Sequence, residues 1–247
     1  MSHSRPLLAL AAAAVATAVT LGAAGSATGS ARPAAITLQA APAEQLPTSE
    51  QLKAALLTAA ELGPDFTEIP SEASASPSGG ASPVAGCDAL RALLNRQDTG
   101  ASPQTPHQEA EFDGPGGNPM VTESLTAEDS AKLTTDFATV SDAFANCHSL
   151  TFTDGTGSAV TFQVTPITLG DRHDAPAVRL DGNLAGVVLN GYLGIERFGP
   201  TAMAYGFFQR DDDSSQLASV YYRAAVAKAE HILGSTAGST TAPAAAV

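Results

Sequence analysis

Apolar residues recur at Leu133, Phe137, Val140 and Phe144, spacings of 4, 3 and 4 that lay one stripe along an α-helix, and Cys147 extends the stripe by three. Beyond Leu150 the period drops from about 3.6 to 2. Val160, Phe162 and Val164 alternate with polar residues. Val187, Leu189, Leu193 and Ile195 share one face of the longest predicted strand, with Asn190, Tyr192 and Glu196 on the other, and Met203, Tyr205 and Phe207 alternate in the next. Turn signals at Asp154-Gly155, Gly170–Asp174, Asp181-Gly182-Asn183 and Gly199-Pro200 separate the runs. Consecutive strands with short turns predict an antiparallel meander.

Before the central helix, Glu109–Phe112 and Met120–Leu125 read as strands joined by a Gly-rich turn, and Thr126 with Asp129 marks the helix start. Further upstream, Thr48-Ser49-Glu50-Gln51 spells a capping box for a helix carrying Leu52, Leu56 and Ala59, which should stop near Gly63-Pro64. Cys87, Leu90 and Leu94 predict a short helix after a Pro/Ser/Ala/Gly loop over 70–86, with a second loop over 98–106. A last helix, capped by Asp213 with Gln216, carries Leu217, Val220, Tyr221, Ala224 and Ala227 as its buried stripe and ends at Gly234. The fold class is therefore α+β: an antiparallel β-meander sheet packed by helices on one face, with one disulfide.

The N-terminus runs from basic Arg5 through an apolar stretch to Leu21 and then to small residues up to Ala31, the order of a secretory signal peptide. The organisation expected is a cleaved signal peptide over 1–31, a flexible Ala/Pro-rich leader over 32–47, an α+β domain over 48–233 and a disordered tail over 234–247. No Cys stands near the cleavage region to receive a lipid, so the product should be secreted rather than a lipoprotein, with no stable membrane insertion.

Composition narrows the chemistry. The 247 residues carry 12 Lys plus Arg against 25 Asp plus Glu, a formal charge of −13, which argues against nucleic acid as a partner. The absence of Trp also removes the strongest stacking platform for bases or sugars. Two Cys in an exported chain most simply form one disulfide, Cys87–Cys147. The alternative is a Cys147 nucleophile served by His148, but neighbours on a helix diverge by about 100°. Asp211-Asp212-Asp213 lacks the alternating spacing of a calcium loop and suits a helix N-terminus instead. Asp171-Arg172-His173-Asp174 holds too few ligands for a structural zinc, but it can form one lip of a cleft. No nucleophile elbow or phosphate loop is present in the right context, so no catalytic residue, metal or cofactor is expected.

The stretch Leu56-Leu57-Thr58-Ala59-Ala60-Glu61-Leu62-Gly63-Pro64-Asp65-Phe66 resembles the opening of actinobacterial secreted or lipid-anchored "sensor domain" proteins. These are similar in turn to the extracellular sensor domain of a mycobacterial receptor Ser/Thr kinase of the H type. The helix ending Phe144-Ala145-Asn146-Cys147, the meander through Asn190 and Tyr192 to Arg197, and the closing helix through Tyr221 and Tyr222 carry the likeness over about residues 48–233. The resemblance implies an α+β domain with a cleft between sheet and helices for an unidentified extracellular ligand, and it brings no catalytic residues. The chain departs from it in having one Cys pair where the kinase domains resemble a two-disulfide pattern.

The function expected is that of a secreted, non-enzymatic binding protein. Its cleft is placed at Asp171, His173, Asp174, Asn190, Tyr192 and Glu196, and its net charge favours cationic or neutral small ligands. The alternatives are a cell-wall-associated structural or protein-binding factor and, behind it, a secreted hydrolase with an unrecognised site.

Overall fold

A computed structural model describes residues 45–70, 84–88, 105–153, 159–211 and 214–241. The expected signal peptide and most of the leader, the Leu90/Leu94 helix and the Asp154-Gly155 turn lie outside them, as do Asp212, Asp213 and most of the two long loops. The chain order is α1 (Ser49–Ala55), α2 (Ala59–Leu62), β1 (Thr67–Ile69), β2 (Val84–Ala85), β3 (His107–Asp113), β4 (Met120–Ala127), α3 (Ser130–Asn146), β5 (Ser149–Thr153), β6 (Ala159–Pro166), β7 (Ala177–Leu184), β8 (Val187–Phe198), β9 (Thr201–Arg210) and α4 (Ser215–Leu233). All nine strands join one sheet in the order β1-β3-β4-β9-β8-β7-β6-β5-β2, and every pairing is antiparallel. Strands β5 to β9 are the expected meander, and the β3–β4 hairpin is laid against its last strand.

The α+β class, the antiparallel sheet and the disulfide agree with the sequence reading, but the helices divide between the two faces of the sheet. On one face Phe112, Val121, Leu125, Tyr192, Met203, Tyr205 and Phe207 meet α1 and α4 in the larger core. On the other, Val160, Phe162, Val164, Leu180 and Phe208 meet Ala143, Phe144 and Cys147 of the α3 end. Strand alternation explains how one sheet serves both: neighbours such as Phe207 and Phe208 point to opposite sides.

Four local readings shift. The expected helix from Ser49 to Gly63 breaks at Leu56–Thr58, because the Leu57 amide donates to the Glu123 carboxyl group (2.8 Å) instead of to the carbonyl one turn back. Thr48 and Gln51 make the capping box as read, and Glu61 reaches back to the Thr58 amide (2.8 Å) to start α2. Thr126 stays in β4, bonded to His107, while Asp129 itself caps α3 by accepting from Ala131 and Lys132.

The buried stripe of α4 is Ala218, Tyr222, Ala225 and Ala229, with Val220 52% exposed and Ala227 exposed. Alanines let this helix lie close to the sheet, and the large Tyr222 takes a place where Gly170 and Gly194 leave room. Finally, residues 234–241, expected within a disordered tail, are ordered. Gly234 caps α4 in the left-handed region (φ 65°), Gly238 N–H donates to Arg197 O (2.7 Å), and Gly199 N–H donates to Ser239 O (2.9 Å). The polar tail composition concealed these backbone acceptors, which only the folded sheet end supplies.

Candidate functional site

The loop between β6 and β7 carries Gly170–Asp174 and folds over the flank of α4. Ser219 donates to Leu169 O, and Tyr222 inserts its ring beneath the loop. A Cβ at Gly170 would stand 2.6 Å from that ring and one at Gly194 2.8 Å, so both glycines are there to admit the tyrosine. The Tyr222 hydroxyl donates to Ile195 O (3.4 Å), and the ring stacks edge-on against Tyr205 at 5.4 Å between centroids. This anchor fixes the loop against β8.

Arg172 joins the residues picked from sequence. Its guanidinium forks onto Asp174 (Nε–Oδ1 3.1 Å, Nη2–Oδ2 2.7 Å) and lies 3.7 Å from Glu196 Oε1 on β8. Asp171 turns instead to α4 and accepts from Arg223 (3.2 Å). The bonds from Arg172 hold Asp174 below the usual carboxylate range. Glu196 is only 2% exposed, and burial raises its pKa despite the Arg197 amide and Arg172, with Asp174 and Glu230 adding to the rise. The ordered C-terminal strap borders the cluster: Gly238 lies so close to the Arg172 guanidinium that no Cβ fits there, and Ala237 N–H donates to Glu230 (2.7 Å).

The other two expected cleft residues do not line an opening. Tyr192 is 1% exposed, edge-on to Phe207 (6.0 Å) with the Arg179 guanidinium 5.8 Å over its ring, and Asn190 is buried opposite Gln209. The face of β8 that reads as polar is turned under α4, so its polar groups are spent inside the fold. His173 stands exposed on the loop.

Sequence reasoning passed over three residues. Arg172 was masked by its His and Asp neighbours. Arg197, almost wholly buried, donates to Gly199 O, Thr134 Oγ1, Ser130 O and Thr240 O, tying the start of α3 to the strap. Glu123 is 1% exposed, and its position between Val121 and Leu125 on an apolar strand face is the signal that could have found it.

The disulfide joins Cys87 to Cys147 with Cα atoms 5.7 Å apart, so no Cys147 thiol remains to act as a nucleophile. A depression of about 380 Å³ lies beside it, lined by Asp88, Asp142, Asn146 and His148 among others, on the face of the sheet opposite the Arg172 cluster. Among the described residues no group of three or more His, Cys, Asp or Glu side chains is placed to hold a metal, and no helix is long and apolar enough to cross a membrane.

This is an α+β fold, one antiparallel sheet with helices on both faces. It is similar to the crystal structure of the extracellular domain of PknH from Mycobacterium tuberculosis, with a TM-score of 0.54 and 14% identity over 76% of this chain and 98% of that one. At that identity the likeness is one of fold. No family model matches the sequence, and no curated protein sequence matches it.

Proposed function

We propose that this chain is a non-enzymatic extracellular binding module that takes a small cationic or neutral ligand where the β6–β7 loop, β8 and α4 meet. The observation that carries the reading is the convergence of Asp174 and the buried Glu196 on one guanidinium, that of Arg172. A ligand cation can replace Arg172 between the two carboxylates, exchanging one charge-assisted contact for another. The net charge of −13 draws cations towards the protein. The disulfide and the likeness to an extracellular domain support an extracellular location.

Native mass spectrometry of the protein secreted from its own or a related host tests the proposal. The expected spectrum shows extra mass that leaves on denaturation and is absent from an Asp174→Asn/Glu196→Gln variant. A bare chain, or mass retained equally by the variant, refutes it. The polypeptide mass also reports whether the signal peptide expected over 1–31 is removed. A protein-binding role is favoured instead by the β7–β8 hairpin tip, where Val187 and Val188 are 36% and 46% exposed. Partner capture that is lost on Val188→Asp would support that reading.

A further inference from the structure

Glu123 sits where α1, α2 and α4 cover the sheet, away from the Arg172 cluster. Its Oε2 accepts the Leu57 amide at 2.8 Å, while its Oε1 is buried and has no hydrogen-bond partner. The bond closes the knee between α1 and α2, the point where the helix breaks, and it spans 66 residues of sequence. Leu52, Ala55, Leu56, Leu57 and Leu62, on either side of that knee, are buried.

The charges around the carboxylate do little to compensate it. The α2 side contributes Glu61 and the α4 side Lys228, and these two bind each other at 2.7 Å, so the lysine's attraction is largely offset by a like charge. On β9 the facing group is Tyr205, whose hydroxyl donates to Ala218 O on α4, with Tyr221 and Tyr222 behind it. The facing residue on β3 is Ala110, and the charges of α1, Glu50 and Lys53, are on its exposed side.

We propose that Glu123 is a protonation-controlled latch: as the neutral acid it holds the α1–α2 knee shut on the sheet, and as the carboxylate it lets that pair of helices lift. An ion enclosed with one donor and one orphaned oxygen carries a desolvation cost that opening the knee relieves by admitting water. Burial pushes Glu123 up from 4.5 to about 7, so the change falls across neutral pH. Because the closed-state pKa is the higher one, closure is strongest below about 4.5 and weakens as pH rises through 7.

Hydrogen exchange of the full chain, corrected for the intrinsic rate at each pH, tests the latch. Between pH 5.5 and 8.5, protection of Leu57 and the rest of residues 49–62 should fall roughly thirtyfold, as linkage requires for a group near 7 when closed and 4.5 when open. Protection in α3 should hold. Glu123→Gln should abolish the dependence. Protection of residues 49–62 that does not change with pH, or a variant that keeps the wild-type dependence, overturns the proposal. Should the variant not fold, the carbon-13 shift of the Glu123 carboxyl in the wild type replaces it. A midpoint near 7 that tracks Leu57 exchange supports the latch, and a midpoint near 4.5 overturns it.

Discussion

Tyr222 shows how much a single side chain can organise here. Its ring needs two glycines, Gly170 in the loop above it and Gly194 on β8, and in return it is buried against Tyr205 and Leu169. Gly194→Ala should cost roughly 1–3 kcal/mol, because its Cβ would stand 2.8 Å from the ring and 3.1 Å from Leu169. Urea unfolding checks this, and an unchanged midpoint would mean that the ring yields freely. Glu123 supplies a second test at this scale. Its folded pKa is raised to about 7, so its contribution to stability is fully present below 4.5 and is lost as pH rises through 7. Glu123→Gln should therefore gain on wild type over that window, by up to about 3 kcal/mol at ~1.4 kcal/mol per pKa unit. Unfolding free energies of the two proteins at pH 5 and pH 8 measure the gain. A difference independent of pH would place the titration elsewhere.

At the scale of elements, α4 is held by small residues. Ala218, Ala225 and Ala229 lie against the sheet, whereas Val220 faces solvent. Ala225→Leu should overpack the contact and cost roughly 1–3 kcal/mol, while Val220→Lys should stay within about 0.5 kcal/mol of wild type. The opposite ranking would restore the stripe read from sequence. Of the stripe Leu217, Val220, Tyr221, Ala224 and Ala227, the residues Leu217, Tyr221 and Ala224 pack partly buried against the core, while Val220 and Ala227 face solvent. The sheet instead selects the residues that permit close approach, a property of the partner surface. On the other face, the Cys87–Cys147 bridge closes a separation of 60 residues. The chain-entropy relation assigns such a loop roughly 4 kcal/mol, so Cys87→Ser/Cys147→Ser should lower stability by about that much in thermal or denaturant unfolding.

For the whole molecule, the strap over residues 234–241 finishes the domain. It supplies Ser239 O to Gly199 and Thr240 O to Arg197, and its Gly238 amide finds Arg197 O. Ending the chain at Gly234 should therefore cost roughly 1–3 kcal/mol, at about 1 kcal/mol per hydrogen bond lost, and should raise exchange at Gly199. A truncated protein as stable as the full chain would mean that the strap is ornamental. Two of the cleft residues chosen from sequence, Asp174 and Glu196, meet through Arg172, and Asp171 pairs nearby with Arg223. Tyr192 and Asn190 belong to the interior.

What the sequence determined on its own was whatever local spacing carries. The 4-3-4 stripe of α3, the period-two strands from Leu150 onward, the Thr48 capping box and the pairing of the only two cysteines all follow from neighbours along the chain. The tertiary structure decided which face of each element is covered. Asn190, Tyr192 and Glu196 form a polar stripe that could as well face solvent, until α4 lies over it. The α1–α2 break depends on a carboxyl group 66 residues away, and the strap on carbonyls exposed at a sheet end. Periodicity assigns residues to faces; only packing against distant elements says what each face meets.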